Sequence, residues 1–119
     1  MQVFVYGTLK RNHGRGLNMF SGAKFIAESM TADNHYRLYD FGAFPAVTFG
    51  GSHRITGEVF EINDDVLEDL DRIEGYHQGF YQRKKIQTLH GEAWMYYIPD
   101  IENYRVDEIV GQEEKTLSW

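Results

Sequence analysis

Asn63-Asp64-Asp65-Val66-Leu67-Glu68-Asp69-Leu70-Asp71-Arg72-Ile73-Glu74-Gly75 decides the fold class, because it is the clearest helix in a chain otherwise written as short strands. Asn63 is a good N-cap, since its side-chain oxygen can take one of the orphan amides of the first turn. Asp64 and Asp65 suit the positive end of the helix, and Gly75 supplies a stop. Val66, Leu67, Leu70 and Ile73 recur at helical spacing and predict the buried stripe. Before the helix, residues 2–6, 23–30, 35–41 and 54–62 read as strands. Phe44-Pro45-Ala46-Val47 is an extended piece fixed by its proline. Residues 10–21 are a polar, glycine-punctuated loop with one helical turn near 17–20. After the helix, 80–89 and 92–98 read as two strands around a turn at His90-Gly91. One helix among strands predicts an α+β fold, a small mixed β-barrel or strongly curved sheet with flanking helices.

The chain has 119 residues, which fits one compact domain with a core of its own. It has no cysteine, which excludes disulfides, thiolate zinc sites and cysteine nucleophiles, and fits a reducing, cytoplasmic setting. Its net charge of −6 makes it a poor general binder of nucleic acid or anionic lipid. No apolar run is long enough to span a membrane, and residues 1–6 read as a first strand rather than a signal peptide. Most of the surplus charge lies in residues 100–119, so a domain over 1–98 is expected, followed by an acidic extension over 99–119 that is a docked helix or a mobile tail. His13, His35, His53, His77 and His90 show no paired ligand spacing, so no metal site is expected. Thr8 and the serines lack a nucleophile-elbow context.

Glu74 breaks the pattern of the helix. It follows Leu70 by four residues and Leu67 by seven, which puts a carboxylate on the apolar side, whereas Asp65, Glu68, Asp69 and Asp71 are expected on other flanks or at the solvent edge. Desolvation raises a carboxyl pKa, and the negative end of the helix dipole acts in the same direction. Both move a glutamate toward proton exchange near neutral pH. Two plainer readings stay open: Glu74 reaches past the helix end to water, or it pairs with Arg83 or Lys84.

Tyr6-Gly7-Thr8-Leu9 is the second feature. Gly7 has no Cβ, so a ligand can approach the backbone, and successive amides in such a loop can form an anion-binding concavity. An ordinary strand-to-loop turn is the alternative. The spacing of a phosphate-binding P-loop is absent. Tyr81 and Arg83 share a strand face and can both point into a site, or Arg83 can simply cover a core tyrosine.

Taken in order, these pieces resemble the gamma-glutamylcyclotransferase-like superfamily, in its small gamma-glutamylamine cyclotransferase form. The resemblance is carried by Val5-Tyr6-Gly7-Thr8-Leu9, Phe44-Pro45-Ala46-Val47, Thr56-Gly57-Glu58-Val59-Phe60-Glu61-Ile62, Leu70-Asp71-Arg72-Ile73-Glu74-Gly75-Tyr76, Tyr81-Gln82-Arg83 and Ala93-Trp94-Met95-Tyr96-Tyr97. It covers residues 1 to about 98. It implies an enzyme that cleaves a small-molecule gamma-glutamyl amide by cyclisation, releasing 5-oxoproline and a free amine, with no metal or organic cofactor. By the same resemblance Glu74 is the general acid/base. Tyr6, Gly7, Thr8 and Leu9 hold the substrate, and Tyr81 adds a phenolic hydrogen bond. The resemblance tips Glu74 toward the buried-acid reading. A non-catalytic small-molecule binding module on the same fold is the alternative, and a structural protein whose acidic tail meets a basic partner is a third. The leaving amine and the oligomeric state are not legible.

Overall fold

The structure, a computed structural model, describes residues 1–11, 16–109, 116, 117 and 119. Its strands are β1 (Gln2–Val5), β2 (Ala23–Met30), β3 (Tyr36–Asp40), β4 (Pro45–Phe49), β5 (Arg54–Ile62), β6 (Gln82–Thr88), β7 (Gly91–Tyr97), β8 (Asp107–Ile109) and β9 (Thr116–Leu117), and α1 spans Asp64–Ile73. The main sheet runs β2-β5-β1-β7-β6, with β9 beside β5, and a smaller sheet runs β4-β3-β8. The main sheet is mixed: β1 is antiparallel to β5 and parallel to β7. It curls until its edges touch, where Thr31, just past β2, meets Thr88 of β6 in one isolated bridge. That contact is not a ladder, so the architecture is α+β on a curled sheet, and the ladder does not close into a barrel.

β1 is the centre of the molecule. Val3, Phe4 and Val5 are all buried, because β1 lies between two clusters of the core. Val3 and Val5 pack with Phe60, Ile62 and the helix residues Val66 and Leu70. Phe4 packs with Leu38, Val47, Val59 and Met95, which joins the two sheets. Ile55, Val59, Phe60 and Ile62 on β5 are buried.

The helix starts and stops where the sequence says. The Val66 amide donates to Asn63 Oδ1 at 2.9 Å, and Gly75 follows the last turn in the left-handed region at φ 65°. Replacing Asn63 by Ala therefore costs about 1 kcal/mol. A thermal melt of Asn63→Ala followed by circular dichroism should show Tm lower by roughly 3–6 °C with the native spectrum kept.

Three expectations are corrected. Ile73 is 58 % exposed and leaves the buried stripe, which is Val66 and Leu70 with Leu67 half-buried. Asp71, expected on another flank or at the solvent edge, is buried at 6 % exposure. The β6–β7 turn is Leu89-His90, and Gly91 already opens β7. The strands on either side of Asp33-Asn34 do not pair with each other: β2 joins β5 and β3 joins β4, so the turn passes the chain between sheets. Beyond residue 98 the described residues hold a 3-10 turn at Ile101–Asn103 and the short strands β8 and β9, with no α-helix among them.

Candidate active site

β1 ends in the middle of the sheet, and its continuation forms one wall of a cleft of ≈ 380 Å³, mouth included. All six residues singled out from the sequence, Tyr6, Gly7, Thr8, Leu9, Glu74 and Tyr81, line it, and Phe44, Pro45 and Tyr96 extend its walls. Gly7 is required by packing: a Cβ there would stand 2.6 Å from the Pro45 ring. The left-handed turn at Gly75 brings the fourth wall into place. The Phe80 amide donates to Gly75 O at 3.1 Å and the Tyr81 amide to Glu74 O at 3.3 Å, so the chain doubles back and sets Tyr81 beside Glu74.

The tyrosines are committed to the scaffold. The Tyr6 hydroxyl donates to Tyr96 O at 2.7 Å and accepts from the Val47 amide at 3.1 Å, tying β1, β7 and β4 together behind the cleft. Tyr81 donates to Pro45 O at 2.5 Å, so toward a ligand its oxygen can only accept. Burial pushes the pKa of Tyr6, Tyr81 and Tyr96 upward, so all three stay neutral phenols. Replacing Tyr6 by Phe leaves Tyr96 O and the Val47 amide without this partner in a buried place, and costs about 1–3 kcal/mol. Urea unfolding of Tyr6→Phe should show a lower midpoint at unchanged slope.

Three enclosed carboxylates lie around β1, and their partners separate them. Glu58 accepts from the Arg11 amide at 2.8 Å and from Arg11 Nε at 3.2 Å. It borders a second depression of ≈ 880 Å³, which offers no enclosed acid without a partner among the described residues. Asp71 accepts from Arg83 Nε at 2.9 Å, Arg83 Nη2 at 3.2 Å and the Tyr96 hydroxyl at 2.6 Å. Arg83 also lies over the rings of Tyr76 and Trp94, and it does not line the cleft. Glu74 is left over: no described residue gives its carboxylate a hydrogen bond or a counter-ion. Its residue surface is partly exposed, yet the carboxyl stands at the cleft wall, and loss of water pushes its pKa up from 4.5 to about 7. The pairing of Glu74 with Arg83 that the sequence left open is excluded, because Asp71, one turn earlier, takes that guanidinium. Asp71 is the site-building residue that sequence reasoning missed. Its signal was Arg83 itself, a cation needing a partner on the helix.

Among the described residues, the cleft lining holds no Lys, Arg or His. Backbone amides are the described groups that can meet an anionic ligand there, and those of Gly7, Thr8 and Leu9 donate to no described backbone acceptor. An unpaired acid near neutrality in the same cleft as these amides suits moving a proton on a zwitterionic ligand.

The family model for gamma-glutamyl cyclotransferase, AIG2-like proteins matches residues 3–116. The chain belongs to this family. That places it among gamma-glutamylcyclotransferase-like enzymes, the superfamily its motifs resemble. A Methanocaldococcus jannaschii protein, provisionally named a gamma-glutamylcyclotransferase, is 30% identical over 103 residues, covering 82% of this chain and 84% of its own. The gamma-glutamylaminecyclotransferase of Mus musculus is 34% identical over 101 residues, covering 72% of this chain and 62% of its own. The solution structure of protein ytfP from Escherichia coli superposes with a TM-score of 0.70 at 32% identity, covering 98% of this chain and 95% of that one. The match reaches residue 116, so it takes in most of the acidic segment after residue 98.

Proposed function

We propose that the protein cleaves gamma-glutamyl amides by intramolecular cyclisation, giving 5-oxoproline and a free amine, with Glu74 as the general acid/base. The observation that carries this reading is the unpaired, half-neutral carboxylate of Glu74 in the cleft that Gly7, Thr8 and Leu9 also line. Family membership supports the reaction class. The absence of cysteine fits work in the cytoplasm.

The substrate brings its own nucleophile. Its α-amine attacks its γ-carbonyl carbon and closes a five-membered lactam, so the enzyme mainly has to fold the substrate and handle protons. At neutral pH the amine starts as an ammonium with three protons, and the lactam nitrogen keeps one. Two protons must therefore pass from the α-nitrogen to the leaving nitrogen, which departs as an ammonium. Glu74 as carboxylate takes the first proton and frees the nucleophile. As a carboxylic acid it then hands a proton to the leaving nitrogen as the C–N bond breaks, and a carboxyl pKa near 7 serves both directions. The amides of Gly7, Thr8 and Leu9 hold the α-carboxylate or the oxyanion that forms on the γ-carbonyl. Tyr81, its proton given to Pro45 O, accepts from the α-ammonium and helps orient it. Tyr6 keeps the wall in place.

A panel of gamma-glutamyl amides assayed for 5-oxoproline by mass spectrometry tests the reading. Release of 5-oxoproline with an equal amount of amine is expected from at least one. Saturable binding across the whole panel without release would leave a binding module instead.

A further inference from the structure

The enclosed part of the cleft is small, and its ≈ 380 Å³ includes the open mouth. On the cyclisation reading, on which this inference rests, the gamma-glutamyl head fills it and the departing amine lies at the mouth. Aromatic rings from three separate segments meet there. Phe44 is part of the cleft wall and stacks on Phe41 across the β3–β4 turn, with centroids 5.1 Å apart and planes at 14°. Phe80, held by its amide to Gly75 O, sets its edge against Phe44 at 6.1 Å and against Tyr81 at 5.1 Å. Tyr104, past the 3-10 turn after β7, closes the group at 5.6 Å from Phe41 and 5.7 Å from Phe80. Phe41, Phe44 and Phe80 are partly buried against the core and Tyr104 is 39 % exposed, so among the described residues the rings form a partly exposed apolar surface continuous with the site. Among the described residues Glu74 is the one carboxylate in the lining, and it repels a second acid.

We propose that Phe41, Phe44, Phe80 and Tyr104 form the subsite for the departing amine, and that the substrates are gamma-glutamyl amides of amines carrying an aromatic or branched apolar group. Rings already ordered against one another present a rigid face to such a group, and edge-to-face contacts with an aromatic amine extend the packing already there. Small polar amines gain nothing from this surface.

The test compares kcat/KM for the gamma-glutamyl amides of phenylalanine, leucine, glycine, glutamate and the lysine ε-amine, with wild type, Phe80→Ala and Tyr104→Ala. Tyr104 is at the surface, so its removal leaves the fold in place. Wild type should favour phenylalanine and leucine over glycine by about 10-fold or more, the scale on which an apolar pocket discriminates, with glutamate last. Both substitutions should bring the phenylalanine-to-glycine ratio toward one. A ratio near one in wild type, a lead for the glutamate or lysine amide, or a ratio that survives both substitutions overturns the subsite. Absence of 5-oxoproline from every amide would instead reject the cyclisation reading. In that event calorimetric Kd values of Glu74→Gln protein for the phenylalanine and glycine amides decide the subsite: tighter binding of the phenylalanine amide supports it, and equal binding rejects it.

Discussion

Glu74→Gln lowers 5-oxoproline release by about 10²–10⁴-fold, the usual worth of general acid/base catalysis. The amide keeps the size of the side chain and removes only proton transfer, so substrate binding should change little and the loss should fall on kcat. The same substitution makes the protein more stable, with a definite pH signature. Glu74 has its pKa raised from 4.5 to about 7 by burial. Between those values the folded protein holds a proton that the unfolded chain has released. Stability therefore falls as pH rises across that window and is level above it. At full enclosure the shift is worth about 3 kcal/mol, and partial exposure of Glu74 reduces this to about 1–2 kcal/mol. Melts of wild type and Glu74→Gln should nearly coincide at pH 4 and separate by several degrees at pH 8, the variant melting higher. A variant that is less stable at pH 8 than at pH 4, relative to wild type, would mean that the Glu74 carboxylate has a favourable partner.

Asp71→Asn has the second large effect, on stability first. Removing one charge of an enclosed ion pair leaves the other uncompensated, which costs about 3–5 kcal/mol for a fully buried pair. The Arg83 side chain is 18 % exposed, so about 2–3 kcal/mol is expected, a fall in Tm of roughly 10 °C. Asp71 also works as a positioning residue for Glu74. It holds Arg83 and the Tyr96 hydroxyl, and so fixes the last helical turn against β6 and β7. It also occupies the cation that would otherwise draw Glu74 into an ion pair. The groups that face Glu74 electrostatically are Tyr6, Tyr81 and Tyr96, all neutral phenols. Freeing Arg83 adds a positive charge to this environment, so the limb of the kcat/KM pH profile that reports Glu74 should move to lower pH in Asp71→Asn. Asp71→Glu should restore part of both properties. An unmoved limb together with a lowered Tm would reduce Asp71 to a structural role.

The sequence made the site more legible than the helix that carries it. Counting about 100° per residue, Val66, Leu70, Glu74, Leu67 and Asp71 fall on one arc of the helix, and Ile73 lies just outside it. Apolarity alone centred the stripe too far toward Ile73 and left Asp71 off it. The centre is set by the curled sheet beneath and by Arg83 on β6, and neither is visible in the thirteen residues of the helix segment. Glu74 lies inside the arc on either centring, which is why its place was legible. Tyr6-Gly7-Thr8-Leu9 was legible because a strand ending in glycine marks a close approach, here that of Pro45 to Gly7. The roles of the tyrosine hydroxyls were not legible, because they depend on backbone acceptors brought from Pro45, Val47 and Tyr96 by the fold. The way β2 and β3 part into different sheets was hidden for a similar reason: turn residues mark a change of direction, not which partner each strand finds.

The central claim is that the bond is broken by the substrate's own amine with Glu74 moving the protons. Single-turnover reaction of wild type and Glu74→Gln with one cleaved gamma-glutamyl amide in ¹⁸O-water, analysed by mass spectrometry, tests it most directly. Wild type should give 5-oxoproline free of ¹⁸O, in equal amount to the released amine, and Glu74→Gln should react at least about 100-fold more slowly. Glutamate carrying ¹⁸O as the first product, or equal rates from the two proteins, would contradict it.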